Sequence, residues 1–217
     1  MPEQTISIPL PEGGSVTGIW SVPPNAIQGD WVLAYAPGSG SNINDPFGTY
    51  AAPRLLDAGI ATLRFQFPYM EAGTKRPDRP AVLESVWREV TGLLHGHGKR
   101  VLIGGRSMGG RYASRVVEVD ALALFAYPLH APGKPEAIRD THLASITVPT
   151  LFCTGTRDTF TTPEELRTSA AKMQRSRVHI LEGADHSYLV LKSSGRTRED
   201  VWDEVLQVML DWLERLP

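Results

Sequence analysis

The sequence predicts an α/β chain in three layers, a mostly parallel sheet between two layers of helices with an antiparallel hairpin at its N-terminal edge. Three observations predict it. The opening segment alternates apolar and polar residues, the period of a strand with one buried face. Beyond it, short continuous apolar runs recur, as in strands buried on both faces of a parallel sheet, with stripes of helical period between them. Finally, the apolar run at Val101 passes through Gly105-Arg106-Ser107-Met108-Gly109 straight into a helix start.

The hairpin is read from Thr5-Ile6-Ser7-Ile8-Pro9-Leu10 and Ser15-Val16-Thr17-Gly18-Ile19-Trp20, joined by the turn sequence Pro11-Glu12-Gly13-Gly14. Trp31–Tyr35, Val101–Gly104, Ala121–Ala126 and Thr150–Cys153 are the continuous apolar runs. Ala61–Phe67 alternates more but also reads as a sheet strand, and Arg177–Leu181 as the last one. Val82, Leu83, Val86, Trp87, Val90 and Leu94 make one helical stripe. Thr162-Pro163-Glu164-Glu165 carries an N-cap, a proline at the first helical position and a capping-box glutamate. Thr197 and Asp200 repeat the box ahead of Val201, Trp202, Val205, Leu206, Met209, Trp212 and Leu213, an amphipathic helix due to pack across the sheet. Alternating strands and helices imply crossovers, with helices on both faces of the sheet and ligands at the carboxyl ends of its strands.

At 217 residues the chain suits one domain spanning residues 1–217, with a core large enough to need no staples. A net charge of −2 carries no nucleic-acid footprint. No apolar run approaches the ~18 residues of a membrane span. Met1-Pro2-Glu3-Gln4 has neither the basic nor the apolar part of a signal peptide, so a cytoplasmic location is expected. The lone Cys153 sits in an apolar strand and reads as a structural thiol.

Gly-x-Ser-x-Gly between a strand and a helix is the pattern of a nucleophile elbow, so tight that the residues two before and two after the serine must be small. Gly105 and Gly109 meet that demand around Ser107. The turn leaves the Met108 N–H free at a helix start, facing any negative charge that develops beside Ser107. A serine hydroxyl needs a base and a third group to orient that base, in the chain order Ser, acid, His. His186 follows the last strand and is the preferred base. His95 and His97 lie in a glycine-rich helix end, His130 and His142 in the connector after the sixth strand, and His179 within a strand. Asp158, after the strand ending near Cys153, is the preferred acid; Asp185 neighbours His186 in sequence but would orient its ring poorly. A second oxyanion donor is expected from Pro37-Gly38-Ser39-Gly40, with the Ser39 N–H favoured and Gly40 second. That loop lacks the lysine of a phosphate-binding loop. No metal site is expected, since the His95/His97 pair has no accompanying carboxylate or cysteine.

These segments resemble the α/β-hydrolase superfamily over nearly the whole chain. The resemblance rests on Gly105-Arg106-Ser107-Met108-Gly109, Gly155-Thr156-Arg157-Asp158, Asp185-His186 and the glycine loop after the first long strand. Within the superfamily the chain is similar to the dienelactone-hydrolase-like branch, and more closely to small bacterial predicted hydrolases carrying a Phe-x-Phe-Pro-Tyr-Met segment, here Phe65–Met70. That group is similar in turn to a eukaryotic chromatin-complex subunit whose hydrolase domain is regarded as a scaffold. Two departures stand out: dienelactone hydrolases have cysteine where this chain has Ser107, and the His-Gly opening of the lipase oxyanion loop is replaced by Pro37-Gly38.

The expected activity is cofactor-free acyl transfer to water, a serine hydrolase acting on a small carboxylic ester. The alternatives are a non-catalytic scaffold on the same fold, or thioester, peptide or perhydrolytic chemistry with the same triad. The gap Pro128 to Pro149 has room for a small helix and not for a lid domain, so an open, shallow site is expected. Phe67, Tyr69 and Arg106 are the expected substrate contacts. Arg106 and Arg111 flank the nucleophile and Lys75-Arg76 follows the Phe67–Met70 segment, so an anionic substrate is one reading and ion-paired surface arginines the other. Oligomeric state is not legible.

Overall fold

The computed structural model describes residues 3–22, 27–116 and 118–217. The Met1-Pro2 start of the N-terminal segment read above lies outside them. All eight expected strands form and join one sheet: β1 (Gln4–Pro9), β2 (Ser15–Trp20), β3 (Trp31–Ala36), β4 (Ala61–Phe65), β5 (Arg100–Arg106), β6 (Ala121–Phe125), β7 (Thr150–Gly155) and β8 (Ser176–Leu181). Their spatial order is β1-β2-β4-β3-β5-β6-β7-β8. β1 and β2 are antiparallel, β2 meets β4 antiparallel, and every pair from β4 to β8 is parallel. β4 stops at Phe65, short of the expected Phe67, because Pro68 opens a helical turn, α2 (Pro68–Glu71), with Phe67 as its N-cap.

Alternate residues of the central strands feed two cores. Val32, Ala34, Val101, Ile103, Leu122, Leu124 and Phe152 face α3 (Pro80–His95), α4 (Met108–Ala113) and α5 (Pro163–Ala170). Leu33, Tyr35, Leu102, Ala123, Phe125, Leu151 and Cys153 face α1 (Pro46–Asp57) and α6 (Arg198–Leu213). This is the two-sided burial that the continuous apolar runs encode. Both expected capping boxes form, Thr162 with Glu165 and Thr197 with Asp200.

The sequence reading did not single out α1. Gly48 and an internal Pro53 dilute its helical pattern, yet Asp45 caps it by accepting from the Gly48 N–H at 3.1 Å, and Pro46 sits at its first turn. The connector from Pro128 to Pro149 holds only a short 3-10 turn, Leu143–Ser145, so no lid covers the sheet's carboxyl end.

Candidate active site

Ser107 sits between β5 and α4 with φ 52° and ψ −116°, a left-handed conformation unusual for a residue with a Cβ. The chain is held in it from both sides. The Ser107 N–H donates to the Phe125 carbonyl at 2.8 Å, and the Arg111 N–H donates back to the Ser107 carbonyl at 2.9 Å. A Cβ on Gly105 would stand 2.3 Å from the Ala36 oxygen, and one on Gly109 2.2 Å from the same atom. The tight turn therefore rests on both glycines. Trp87 of α3 pins the far side by donating its indole N–H to the Gly109 carbonyl at 3.2 Å.

His186 Nε2 lies 2.9 Å from Ser107 Oγ. Its Nδ1 lies 3.0 and 2.8 Å from the two oxygens of Asp158. The Asp158 carboxylate is fully buried and takes a further hydrogen bond, 2.8 Å, from the Phe160 N–H. The Phe160 ring stacks on the imidazole, centroids 4.0 Å apart at 26°. Asp185, the sequence neighbour, is occupied elsewhere: its Oδ1 accepts from the Ser187 and Leu189 N–H groups at 2.8 and 2.9 Å, closing the turn that carries His186.

Ser39 reaches the same site from the β3–α1 loop. It lines a cleft of about 230 Å³ together with Ser107, Met108, Arg111, Tyr112 and Phe160, among others. Among the described residues neither the Met108 nor the Ser39 amide has an acceptor. Gly40 is exposed and is not part of the lining. Gly38 comes closer, since a Cβ there would be 3.5 Å from Ser107 Cβ. The loop is stapled to the segment that follows β4. Tyr69 OH donates to the Ser39 carbonyl at 3.1 Å, and Gln66 Oε1 accepts from the Ile43 N–H at 3.0 Å.

The expected substrate contacts fall differently. Phe67 is wholly buried against Phe65, and Tyr69 is spent on the Ser39 carbonyl; neither lines the cleft. Arg106 turns to the opposite side of the sheet, because a buried carboxylate waits there. Its Nη2 lies 3.3 Å from Asp45 Oδ1, and Asp45 Oδ2 accepts from Tyr35 OH at 2.7 Å. Nη1 lies 3.5 Å from the His186 carbonyl. Burial alone would lower the Arg106 pKa, but Tyr35 and Asp45 outweigh it and the guanidinium is held more firmly charged. Burial and Asp45 push the Tyr35 phenol well above its ordinary value.

The sequence reading missed this Tyr35–Asp45–Arg106 cluster. Asp45-Pro46 is a helix-start signal that would have marked the cap, while the arginine partner depends on a tertiary contact. Phe160 and Arg139, which both line the cleft, left no signal at all. Lys75 and Arg76 are exposed and outside the cleft.

The remaining histidines have other partners. His95 Nε2 meets the Glu118 carbonyl at 2.9 Å, and His97 packs edge-on against Trp20. His179 Nε2 is 2.7 Å from Glu204 Oε1. His130 lines the cleft, but its Nδ1 is 2.8 Å from the Ala131 carbonyl and its Nε2 3.3 Å from Glu165. Among the described residues no three His, Cys, Asp or Glu side chains converge as a metal set requires, and no helix is long and apolar enough to cross a membrane.

A family model described as an alpha/beta hydrolase domain matches residues 29–214. Three solved structures are similar over their whole length. The esterase domain of a Rhodothermus marinus protein is 18% identical, with a TM-score of 0.73 and 99% of each chain covered. A dienelactone hydrolase from Anabaena variabilis is 22% identical, with a TM-score of 0.72, covering 99% of this chain and 98% of its own. A Xanthomonas campestris protein described as a serine hydrolase without a lid is 17% identical, with a TM-score of 0.73, covering 100% of this chain and 99% of its own.

Proposed function

Because the chain belongs to the alpha/beta hydrolase domain family, we propose that it is a serine hydrolase cleaving small carboxylic esters through an acyl-enzyme. The observation that carries the reading is the continuous array Ser107 Oγ, His186 Nε2, His186 Nδ1, Asp158, each contact at 3.0 Å or less. His186 takes the Ser107 proton as Oγ attacks the ester carbonyl. Asp158 fixes the ring's tautomer and stabilises the imidazolium. The Met108 and Ser39 amides, free of acceptors, receive the oxyanion, each worth about 3 kcal/mol in the transition state. His186 then protonates the leaving alcohol, and water hydrolyses the acyl-enzyme by the same route. The scheme needs no metal or organic cofactor.

The fold also bears on substrate size. No lid covers the cleft, and its volume of about 230 Å³ suits a short ester rather than a long acyl chain. We assign the site to a single domain, residues 1–217, and give Arg106 a positioning role, since it steadies the His186 turn from behind. A panel of 4-nitrophenyl esters from acetate to palmitate tests the reading. Acetate or butyrate should be fastest. Ser107→Ala and Asp158→Asn should each lose about 10³-fold or more in kcat. Undiminished hydrolysis by Ser107→Ala would remove Ser107 from the mechanism, and a preference for palmitate would remove the short-ester assignment.

A further inference from the structure

The cleft beside Ser107 holds two guanidinium groups with no acid between them. Arg111 lies one turn along α4 from the nucleophile, its N–H bonded to the Ser107 carbonyl at 2.9 Å. Arg139 comes from the connector after β6, where its N–H donates to the Leu129 carbonyl at 2.8 Å and sets the residue at the cleft mouth. Among the described residues neither side chain forms a salt bridge, and Arg111 Nε is buried without any hydrogen-bond partner. Four carboxylates of the surrounding elements are held elsewhere. Asp140 binds Lys172 at 2.6 Å and Ser169 at 2.7 Å. Glu165 binds His130 and the Thr162 cap, Glu84 binds Arg88 and Arg115, and Asp158 binds His186.

Such an arrangement is costly in the free protein. Burial lowers the Arg111 pKa, and the like charges of Arg139 and Arg115 lower it further. The two cations share the cleft, Arg139 exposed and Arg111 with its Nε left unsatisfied, and the Tyr112 ring, 5.4 Å from the Arg111 guanidinium, is a weak partner that replaces no counter-ion. They are, however, the forked donors that best match an oxyanion.

Taking Ser107 as the nucleophile proposed above, we infer that the cleft accepts an ester carrying a second, anionic group, a carboxylate or a phosphate, which Arg111 and Arg139 hold. Arg111 and Arg139 line the same cleft as Ser107, about 230 Å³ in volume, so one small substrate reaches both the nucleophile and the two cations. The same two charges draw anionic substrates to the open cleft, an effect that salt suppresses.

The test uses pairs of esters with the same reacting group. On the alcohol side, 3-acetoxybenzoate and 3-acetoxyphenyl phosphate are compared with neutral 3-acetoxybenzamide. On the acyl side, 4-nitrophenyl hemisuccinate is compared with its methyl ester. At least one anionic ester should exceed its neutral twin by about tenfold or more in kcat/KM, and the excess should shrink between 50 and 500 mM salt (about). The side and the anion that show the excess identify the substrate's shape. Arg111→Gln and Arg139→Gln should each cut the anionic-to-neutral ratio by about tenfold. Arg175→Gln, the same change of charge at an exposed position outside the cleft, should leave the ratio alone. Arg111→Gln should also leave Tm unchanged or higher, which an arginine kept for structure would not do. Fluorophosphonate labelling of the same preparation separates the two claims: if Ser107 labels but no anionic ester is preferred, or the ratio survives both substitutions, the anion site is wrong. Failure to label would instead overturn the nucleophile.

Discussion

Replacing Asp45 by alanine should destabilise the protein by about 3–5 kcal/mol, the usual cost of removing one partner from a buried ion pair. The structure indicates where that loss arises. The carboxylate is almost wholly buried and serves three groups at once: Gly48 N–H at 3.1 Å, Tyr35 OH at 2.7 Å and Arg106 Nη2 at 3.3 Å. Losing the helix cap costs about 1 kcal/mol. A buried tyrosine hydroxyl without an acceptor costs about 1–3 kcal/mol. Arg106, its side chain 18% exposed, would keep its charge with no counter-ion beside it. These parts share one carboxylate and do not add fully. For a chain of this size about 2–4 °C of Tm accompanies each kcal/mol, so a drop of about 6–20 °C is expected. Urea unfolding at unchanged m-value measures the loss. Asp45→Asn, with its one oxygen in the place of Oδ2, keeps an acceptor for Tyr35 and the cap but loses both the charge and the acceptor for Arg106, so it should cost less than the alanine change. An alanine variant within about 1 kcal/mol of wild type, or an asparagine variant as damaged as the alanine one, would refute the three-way role.

Other expectations follow from the same contacts. Gly109→Ala should cost about 3 kcal/mol or fail to fold, because its Cβ would stand 2.2 Å from the Ala36 oxygen; urea midpoints and soluble yield measure it. Tyr69→Phe removes the hydrogen bond to the Ser39 carbonyl and should lower kcat for short esters about fivefold with little change in KM, as about 1 kcal/mol of loop positioning is lost. His142 packs against Ser114 and Tyr127, and burial together with Arg115 and Arg111 pushes its pKa down to about 4. Unfolded, it titrates near 6.5, so between about pH 6.5 and 4 the unfolded chain binds more protons and stability falls as pH falls. Allowing for its partial solvation, the loss is about 1–2 kcal/mol, and His142→Gln should flatten that part of the urea-stability profile.

The layered fold was legible because its signals are local. Continuous apolar runs, the Gly-x-Ser-x-Gly turn and the two capping boxes each state their structure within a few residues, and all eight strands and the helices they mark are present. Helix α1 was not, since Gly48 and Pro53 weaken its pattern and its stability comes from packing Phe47, Ala51 and Leu55 into the core. At the site, Ser107, Asp158 and His186 were readable from chain order at strand ends, and they meet within hydrogen-bond reach. What surrounds them was not. Arg106 looks like a pocket residue from its place beside Ser107, but a strand sends alternate side chains to opposite faces, and its face holds Asp45. Phe67 likewise joins the core, while Arg139 reaches the cleft through a connector with no periodic signal.

The central claim is that Ser107 is an activated nucleophile. Intact-mass analysis after treatment with a fluorophosphonate, run on the wild type, Ser107→Ala and His186→Gln, tests it most directly. The account predicts a single adduct on the wild type, none on Ser107→Ala, and labelling slowed about 10³-fold or more on His186→Gln. A well-folded wild type that takes no adduct, or a Ser107→Ala protein that labels as readily, would contradict it and favour a scaffold built on the same fold.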